Sequence, residues 1–547
     1  MVAIDRKGHT AGEQITKRLN ALGNARASGT SRISRWFTGI LLLTGGAWAI
    51  SAMQTLVFAY LLRAIEREFP MTTGEKAFVN GSVMIGAFLG SFVFGNLADM
   101  HGRKQMLLVS FMLGTVGSAL CALSPNLEVL GVCRFIAGLG LGGGQPVTSS
   151  LILELSPEPV RGRMLVYLDA FWAIGSILAL PLIGWRYVTA VNAVFLFYTV
   201  LIHKYVPESP KWLATMGRYE DAVRVMRFIE ASCSIFLTIE ADDAILNGGV
   251  SASYLQLRRQ TTTSRRTSET AIQPTEQSFL RVSVDRFRIL FRYPYFSRTM
   301  VLWFVCTGMS LTYYGIDIYF FDQLKHTLPR HIDADFIVYS AAAAQIPGYI
   351  IAADLVELAG RRNTVMVFLT GACVASLVGV YVTPSTLTLL IAGCFRSFFF
   401  MGAWGALYPY VPEHYPITIR AMGSAYTWGI SRIGAFLGPY MVIWMFEQWA
   451  FSIPQVVWAL CTWSFTVTQV VWTLCGVLFV VVIVLFFFGV ETAGQQIDET
   501  SARPRGLTMR VTRESLPRCE SMPRCESLPS CSIMEESSRR SSEFAPL

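Results

Sequence analysis

The sequence contains little charge for its length. Of 547 residues only 15% are Asp, Glu, Lys or Arg, against ~25% in an average soluble domain. Hydrophobic residues make up 53% of the chain, and the mean hydropathy is +0.45. So few charges cannot cover so much apolar surface in water. The composition therefore excludes a soluble enzyme, a disordered protein and a small disulfide scaffold, and it leaves a polytopic membrane protein.

Patterns for catalysis and nucleotide binding are also missing. A G-x-x-x-x-G-K-[ST] motif is absent from the sequence, which argues against ATP-driven transport. The eleven cysteines are scattered and no pair falls in an outside loop, so we predict no structural disulfide. We expect no cofactor and no metal site. The six histidines do not cluster with acids as a membrane enzyme would require: His9, His101, His203, His326, His331 and His414.

Long uncharged runs are the main positive feature of the chain. Charge is absent from the 27 residues between Arg35 and Arg63 and from the 33 between Arg362 and Arg396. A helix needs ~20 apolar residues to cross a bilayer, and these runs do not alternate in hydropathy as barrel strands do. We therefore predict an all-α membrane protein with twelve transmembrane helices. The predicted spans are 37–62, 77–98, 106–124, 127–150, 163–182, 186–206, 299–321, 334–355, 365–383, 386–409, 422–446 and 467–490.

Positive charge is concentrated in three segments outside these spans. Lys and Arg number seven in 1–35, thirteen in 207–298 and eight from 491 onward. An even number of spans puts all three segments on one side, which the positive-inside rule makes cytoplasmic. Both termini are thus expected in the cytoplasm, of a monomer in the plasma membrane or an internal membrane. The predicted domains are a tail (1–35), a six-helix half (36–206), an inter-half segment (207–298), a second six-helix half (299–490) and a disordered tail (491–547).

Two charged motifs occur twice in the sequence. The motif acid-x-x-Gly-Arg occurs at residue 99 and again 258 residues later. The motif Glu-x-x-Pro-x-x-x-Arg occurs at residue 154 and again 259 residues later. The same charged motifs in the same order indicate a duplicated six-helix unit. The repeated residues are Asp99, Arg103, Glu154 and Arg161 in the first half and Glu357, Arg361, Glu413 and Arg420 in the second.

With these motifs the chain resembles the major facilitator superfamily over roughly residues 35–500, and within it the branch of synaptic-vesicle-2-related, organic ion and sugar porters. The resemblance implies two pseudo-symmetric six-helix halves and transport by alternating access. The segments that carry it are 95–104 (a loop 2–3 signature), 134–144 (a fourth-helix signature), 207–210 and 491–494 (the ends of helices six and twelve), and 169–175 and 313–315 (the branch).

The resemblance also implies a role for the eight repeated charges. They would form interhelical pairs that close the cytoplasmic side in one state and part in the other. The alternative is that they only anchor the topology. In neither case do they bind substrate. The glycines that follow Arg134 are interpreted as close-packing residues, because no strand precedes them as a dinucleotide loop would require.

A few polar residues lie deeper in the predicted spans. A charge in mid-membrane costs ~2.5–3.5 kcal/mol on insertion scales, so each needs a reason. In the superfamily fold Asp169 and Arg432 would face the central cavity, where Arg432 would meet an anionic group and Asp169 a cation or a proton. The alternative is that each of these residues forms a structural ion pair, or extends its charged end to the membrane–water interface. The candidate substrate or coupling path is Gln54, Arg134, Gln145, Asp169, Asp317 and Arg432.

The first predicted span departs from the pattern of the branch. Relatives usually carry two acids there, whereas this chain has Ser51 and Gln54. An amide cannot take up a proton, which disfavours coupling through this helix and a strongly cationic substrate. A facilitator and a symporter coupled through Asp169 both remain open.

These features together predict a secondary active or facilitative transporter of a small polar organic solute, such as an organic ion, a sugar or a carboxylate. Its expected partners are that solute, the lipid bilayer and, in a symporter, a proton. No nucleic-acid partner is expected. The alternatives are a transporter-like receptor or vesicle protein with little transport and, from another class, a polytopic membrane enzyme.

Overall fold

The structure, a computed structural model, describes residues 11–24, 35–71, 73–179, 185–233, 284, 287–327, 334–381, 386–451 and 465–492. Within these ranges the chain forms α-helices, short 3-10 turns and loops, and it forms no strand. Most of the predicted disordered tail and much of the predicted inter-half segment lie outside the described residues.

Long helices follow one another along both halves of the chain. A short helix, α1 (Ala11–Asn24), comes before them. The first half contains α2 (Arg35–Glu68), α3 (Thr73–His101), α4 (Arg103–Leu120), α5 (Leu127–Leu155), α6 (Arg161–Leu178), α7 (Trp185–Ala190) and α8 (Leu196–Tyr205). Between the halves lie α9 (Pro210–Thr215) and α10 (Tyr219–Cys233). The second half contains α11 (Tyr295–Thr327), α12 (Ala334–Leu358), α13 (Arg361–Tyr381), α14 (Thr386–Glu413), α15 (Arg420–Phe451) and α16 (Phe465–Phe488).

Ten segments of the described chain are long and apolar enough to cross a membrane, and α7 and α8 together form one of them. The two predicted spans outside this set are α6 and α15. Helix α6 carries two arginines and Asp169 within 18 residues, and α15 carries Arg432 near its middle. Their charges lower the hydropathy. With them the bundle has the twelve helices that the sequence predicts.

The sixth predicted span is not one continuous helix. A 3-10 turn, Val191–Phe195, separates α7 from α8. Just before it, the Thr189 hydroxyl donates to the Trp185 carbonyl, and inside it the Asn192 amide donates to the Thr189 carbonyl. Side chains that bond to nearby carbonyls compete with the regular helical pattern, and two of them lie at this interruption.

Equivalent helices pack in the same way in the two halves. Helix α3 packs on α5 as α12 packs on α14, and α2 packs on α6 as α11 packs on α15. The halves contact each other mainly where α3 meets α15 and where α6 meets α12, which are again equivalent pairs. Helices α3 and α5 approach so closely at Gly138 that a Cβ on this residue would collide with the backbone of Val83. The packing interpretation of this glycine follows from that contact.

Helix α1 lies within the segment that the sequence analysis treated as a tail. It buries Ile15, Leu19 and Leu22 completely or nearly so. Arg18 forms a buried ion pair with Glu230 of α10, with Nε 2.9 Å from Oε1. The Asn20 amide donates to Glu158 at 2.9 Å. The N-terminal segment is therefore tied both to the inter-half helices and to the turn before α6.

Candidate functional site

The first repeated arginine is buried in a carboxylate cluster at one end of the bundle, which we name the motif end. Arg103 is fully buried. Its Nη2 lies 2.9 Å from Asp99 Oδ1, and its Nε lies 3.3 Å from Glu154 Oε2. Asp99 ends α3, Glu154 ends α5, and Arg103 begins α4, so one side chain joins three helices. Nη2 also donates to the Ile417 carbonyl of the second half at 2.7 Å.

The second half repeats this cluster. Arg361 begins α13 and lies 3.2 Å from both Glu357 Oε2 and Glu413 Oε2. Its Nη1 donates to the Val356 carbonyl at 3.2 Å. Each arginine therefore neutralises two carboxylates, and the repeat seen in the sequence is also a repeat in space.

A second pair of carboxylates holds the backbone of both arginines. Glu208 accepts hydrogen bonds from the backbone N–H of Arg103 at 2.9 Å and of Lys104 at 3.2 Å. Glu491 accepts one from the backbone N–H of Arg361 at 2.9 Å. Burial raises the pKa of Glu208, although the backbone donors and Arg103 act in the opposite direction. These glutamates satisfy N–H groups of the first helical turn, which have no partner within a helix.

The residues next to these glutamates complete the network. The Ser209 hydroxyl donates to Glu154, and the Thr492 hydroxyl donates to Glu413 at 2.6 Å. The sequence analysis quoted both segments as helix ends and did not assign them to the charge cluster. Glu208 and Glu491 are 283 residues apart, whereas the first motif repeats after 258, so this third repeat is not found at the same offset. The signal that could have identified it is the hydroxyl residue that follows each glutamate.

The turn before each arginine requires glycine. Gly102 and Gly360 have φ of 116° and 89°, a region that side chains with a Cβ rarely adopt. A Cβ at either position would also collide with a carboxylate, that of Glu208 or that of Glu491. The glycines thus let the glutamates reach the backbone N–H groups.

We expect Gly360→Ala to destabilise the folded protein by about 1–3 kcal/mol, the usual cost of a strained backbone conformation. The measurement is the thermal unfolding temperature of the purified protein, which should fall. Gly476→Ala is the control, because a Cβ at that helical position meets nothing within 4 Å. Equal unfolding temperatures for the two variants would contradict the requirement for glycine.

Two motif acids also cap helices of the opposite half. Asp99 Oδ2 accepts a hydrogen bond from the backbone N–H of Met422, in the first turn of α15, at 2.9 Å. Glu357 Oε1 accepts one from the backbone N–H of Arg163, in the first turn of α6, at 3.1 Å. A carboxylate at a helix N-terminus is favourable because the N–H groups and the helix dipole point towards it. Each half thus caps a helix of the other.

Arginines of the same helix ends reach across between the halves. Arg420 Nη1 lies 3.5 Å from Glu154 Oε1, and Arg161 interacts electrostatically with Glu413. Arg163 forms a further pair with Asp354 at 3.3 Å, which the sequence analysis did not anticipate. All eight repeated residues therefore lie in one network of charges that joins the two halves at the motif end.

A cavity lies between the halves, deeper than this network. Helices α5 and α6 of the first half and α11, α12, α14 and α15 of the second supply its walls. The lining residues are Gln145, Asp169, Trp172, Tyr313, Tyr314, Tyr349, Met401, Trp404, Tyr408, Trp428, Ser431 and Arg432.

Flat aromatic rings form one wall of this cavity. Tyr408 and Trp428 are stacked, with centroids 4.4 Å apart and planes 25° apart. Trp404 continues the wall at 5.7 Å from Trp428. Trp48 of α2 meets Tyr408 edge to face at 5.0 Å. Such a surface suits a planar ring, which gains both apolar contact and stacking.

Asp169 contributes a buried carboxyl group to the cavity. Trp48 Nε1 donates to its Oδ1 at 3.2 Å. The Tyr349 hydroxyl lies beside the same carboxyl group and also contacts Met401 Sδ at 3.4 Å. Within the described residues Oδ2 has no hydrogen-bond partner. This oxygen is therefore available to a ligand or a proton.

Arg432 contributes a positive charge to the cavity, and no acid among the described side chains pairs with it. Its Nη2 donates to Gln145 Oε1 at 2.5 Å, and its Nε forms no hydrogen bond within the described residues. Arg103 and Arg361 each pair with two carboxylates, whereas the partner of Arg432 is a neutral amide. A guanidinium whose partner is neutral can offer two parallel N–H donors to an anion.

The other predicted path residues lie elsewhere. The Gln54 amide donates to the Thr115 hydroxyl at 3.4 Å and lines a neighbouring pocket. Arg134 is buried with its guanidinium 3.9 Å from the centroid of the Phe58 ring, and it does not line the central cavity. The side chain of Asp317 lies outside the described part of the structure.

Twelve helices in two equivalent halves around a cavity with two charges define a membrane transporter of small organic solutes. The family described as "Sugar (and other) transporter" matches residues 52–503. The chain belongs to this family of the major facilitator superfamily, so the predicted fold class and transporter function are confirmed. The family is one of transporters and not of enzymes, which removes the membrane-enzyme alternative.

Known relatives and structures agree with this placement. The chain is 31% identical over 420 residues to the niacin transporter NiaP of Acinetobacter baylyi, covering 76% of this chain and 88% of the relative. It is 27% identical over 438 residues to organic cation/carnitine transporter 7 of Arabidopsis thaliana, covering 74% and 84%. Its fold is similar to that of the proton:xylose symporter XylE bound to 6-bromo-6-deoxy-D-glucose, with TM-score 0.62 and 18% identity over 85% of this chain and 98% of that one.

Proposed function

We propose that the protein transports a small planar organic acid, with nicotinate as the model substrate. The observation that carries this proposal is the charge of Arg432, which faces the central cavity with a neutral amide as its partner. A carboxylate binds such a guanidinium through two parallel hydrogen bonds. The aromatic wall beside it accepts the ring of the same molecule. The name of the niacin transporter among the relatives supports this choice.

The proposed cycle uses the motif-end network as a gate. We take the motif end as cytoplasmic, with both termini on that side, because the basic segments adjoin it. With the gate closed, the cavity accepts substrate from the other side of the membrane. Rocking of the halves then separates the capping contacts and ion pairs and opens the cavity to the cytoplasm. In this scheme the eight repeated charges act in gating and not in binding.

Uptake into proteoliposomes that contain the purified full chain tests the proposal. We expect saturable uptake of labelled nicotinate, competition by other aromatic carboxylates, and little competition by nicotinamide or xylose. Nicotinamide is the matched control because it has the same ring without the negative charge. Equal competition by the amide would contradict the role given to Arg432. The absence of saturable uptake of any of these solutes would favour the receptor or vesicle alternative.

We further propose that Asp169 couples transport to a proton. Its carboxyl group is buried in the cavity beside the Tyr349 hydroxyl, and its Oδ2 has no hydrogen-bond partner among the residues that the structure describes, so it is placed to take up a proton on one side of the membrane and release it on the other. With an acidic exterior, the wild-type protein should then accumulate nicotinate faster than with equal pH on both sides.

Asp169→Asn is expected to remove this stimulation by the proton gradient, because an amide does not titrate. Exchange of labelled for unlabelled nicotinate at equal pH should persist, since exchange does not require the proton to return. Glu128→Gln, which changes an exposed acid of the same half, should behave like the wild type. A gradient-stimulated Asp169→Asn variant would rule out coupling through this residue.

A further inference from the structure

We infer that Gln145 determines selectivity for anions, because it gives Arg432 a neutral partner in the empty cavity. This inference rests on the function proposed above and names a residue that controls it. Gln145 is on α5 of the first half and Arg432 is on α15 of the second, so their hydrogen bond also joins the halves across the cavity.

The position of Gln145 gives it unusual influence. It lines the central cavity and two smaller pockets, one between α2, α4 and α5, and one that Arg432 also borders. The two smaller pockets are lined by apolar residues, hydroxyls and amides, with Arg432 as the one charged residue described in them. The side chain at position 145 thus sets the charge opposite Arg432 in the two spaces that both residues line.

The choice between amide and carboxylate at this position decides whether an anion can bind. An amide oxygen satisfies one guanidinium N–H and leaves the full positive charge for a ligand. A carboxylate would satisfy the same N–H and also neutralise the charge, as Asp99 and Glu154 do for Arg103. An incoming anion would then displace an ion pair instead of adding to a neutral contact, and it would leave a buried carboxylate without a partner.

Gln145→Glu and Gln145→Met separate this role from a structural one, because both side chains have nearly the length of glutamine. The probe is pyridine-3-sulfonate, an aromatic acid that stays negatively charged from pH 4 to pH 8. Its binding to the purified full chain is measured by quenching of tryptophan fluorescence, since Trp404 and Trp428 line the cavity.

At pH 7.5 we expect Gln145→Glu to weaken binding by about 30-fold or more, the effect typical of disturbing a buried charge contact at a binding site. Gln145→Met should bind within about five-fold of the wild type, because methionine leaves the charge of Arg432 intact and the anion replaces the lost amide contact with a stronger one. The loss in Gln145→Glu should persist as the pH falls towards 4.5, because Arg432 lowers the pKa of a carboxyl group paired with it.

Each variant is compared with the wild type at each pH, because the carboxyl group of Asp169 lines the same cavity in all three proteins. The other ionisable side chains of the cavity are the tyrosines Tyr313, Tyr314, Tyr349 and Tyr408, whose hydroxyls stay protonated over this pH range. A loss of binding confined to Gln145→Glu therefore identifies the charge at position 145, and a merely structural role for Gln145 does not produce it.

Two results would overturn the inference about Gln145 and leave the proposed function standing. One is an equal loss of binding in Gln145→Met and Gln145→Glu at every pH, which would make Gln145 a direct ligand or a packing residue. The other is undiminished binding by Gln145→Glu at pH 7.5. If the wild type itself binds neither pyridine-3-sulfonate nor nicotinate, the proposed function fails and the inference fails with it.

Discussion

Arg432→Ala is expected to lower kcat/KM for nicotinate uptake by about 30- to 5,000-fold, because loss of one partner of a buried charge contact costs ~2–5 kcal/mol. In the absence of substrate the guanidinium bonds to Gln145, so the variant leaves a neutral amide without a partner and not a stranded charge. Folding should therefore survive the change. Initial rates in proteoliposomes over a range of nicotinate concentrations give the measurement.

Two further variants sharpen this prediction. Arg432→Lys keeps the charge but loses the planar fork that pairs with a carboxylate, so an intermediate loss is expected. Arg134→Lys is the matched control, because Arg134 is also a buried arginine of a spanning helix but lies over Phe58 and away from the cavity. If Arg432→Ala transports nicotinate at the wild-type rate, Arg432 does not bind the substrate.

Arg103→Ala is the second change with a large expected effect: it should reduce uptake by roughly 100-fold or more while the protein remains in the membrane. Removing the cation takes away the guanidinium that both Asp99 and Glu154 contact in the closed state, and loss of one partner of a buried ion pair costs ~3–5 kcal/mol. In the open state these acids separate from the opposite half and gain access to water. The population therefore shifts towards an open motif end, and the cycle stalls.

Cysteine labelling distinguishes this shift from loss of folding. Ser424 is fully buried near the motif end, so Ser424→Cys should react slowly with a maleimide in an otherwise wild-type chain and faster when combined with Arg103→Ala. Lys104→Ala is the control, because Lys104 contributes its backbone N–H to Glu208 and alanine keeps that group. Unchanged uptake by Arg103→Ala would reject the gate.

Much of the motif end was predictable because its residues repeat in sequence. Asp99 and Glu357 stand 258 residues apart, each followed three residues later by Gly-Arg, and a duplicated unit folds into equivalent positions. The partner of each acid in the opposite half was not predictable. That Asp99 caps α15 depends on how two rigid halves dock, and neither spacing nor periodicity in the sequence encodes docking.

The central cavity was predictable in its charges but not in its pairings. Asp169 and Arg432 drew attention because charge is rare in spanning helices. The bond between Gln145 and Arg432 joins residues 287 positions apart on different halves, and glutamine gives no hydropathy signal of its own. Arg134 shows the converse, because a buried arginine can be held by an aromatic ring and lie away from the cavity.

Helix α1 also imposes an order on biosynthesis. It leaves the ribosome before α10, because its ion-pair partner Glu230 is made about 200 residues later, which takes roughly 10–40 s at ~5–20 residues per second. During that interval Ile15, Leu19 and Leu22 lack the surface that later covers them, and a helix with such an apolar face is expected to rest on the membrane. Docking of α1 therefore marks the moment at which the first half and the inter-half helices have been completed.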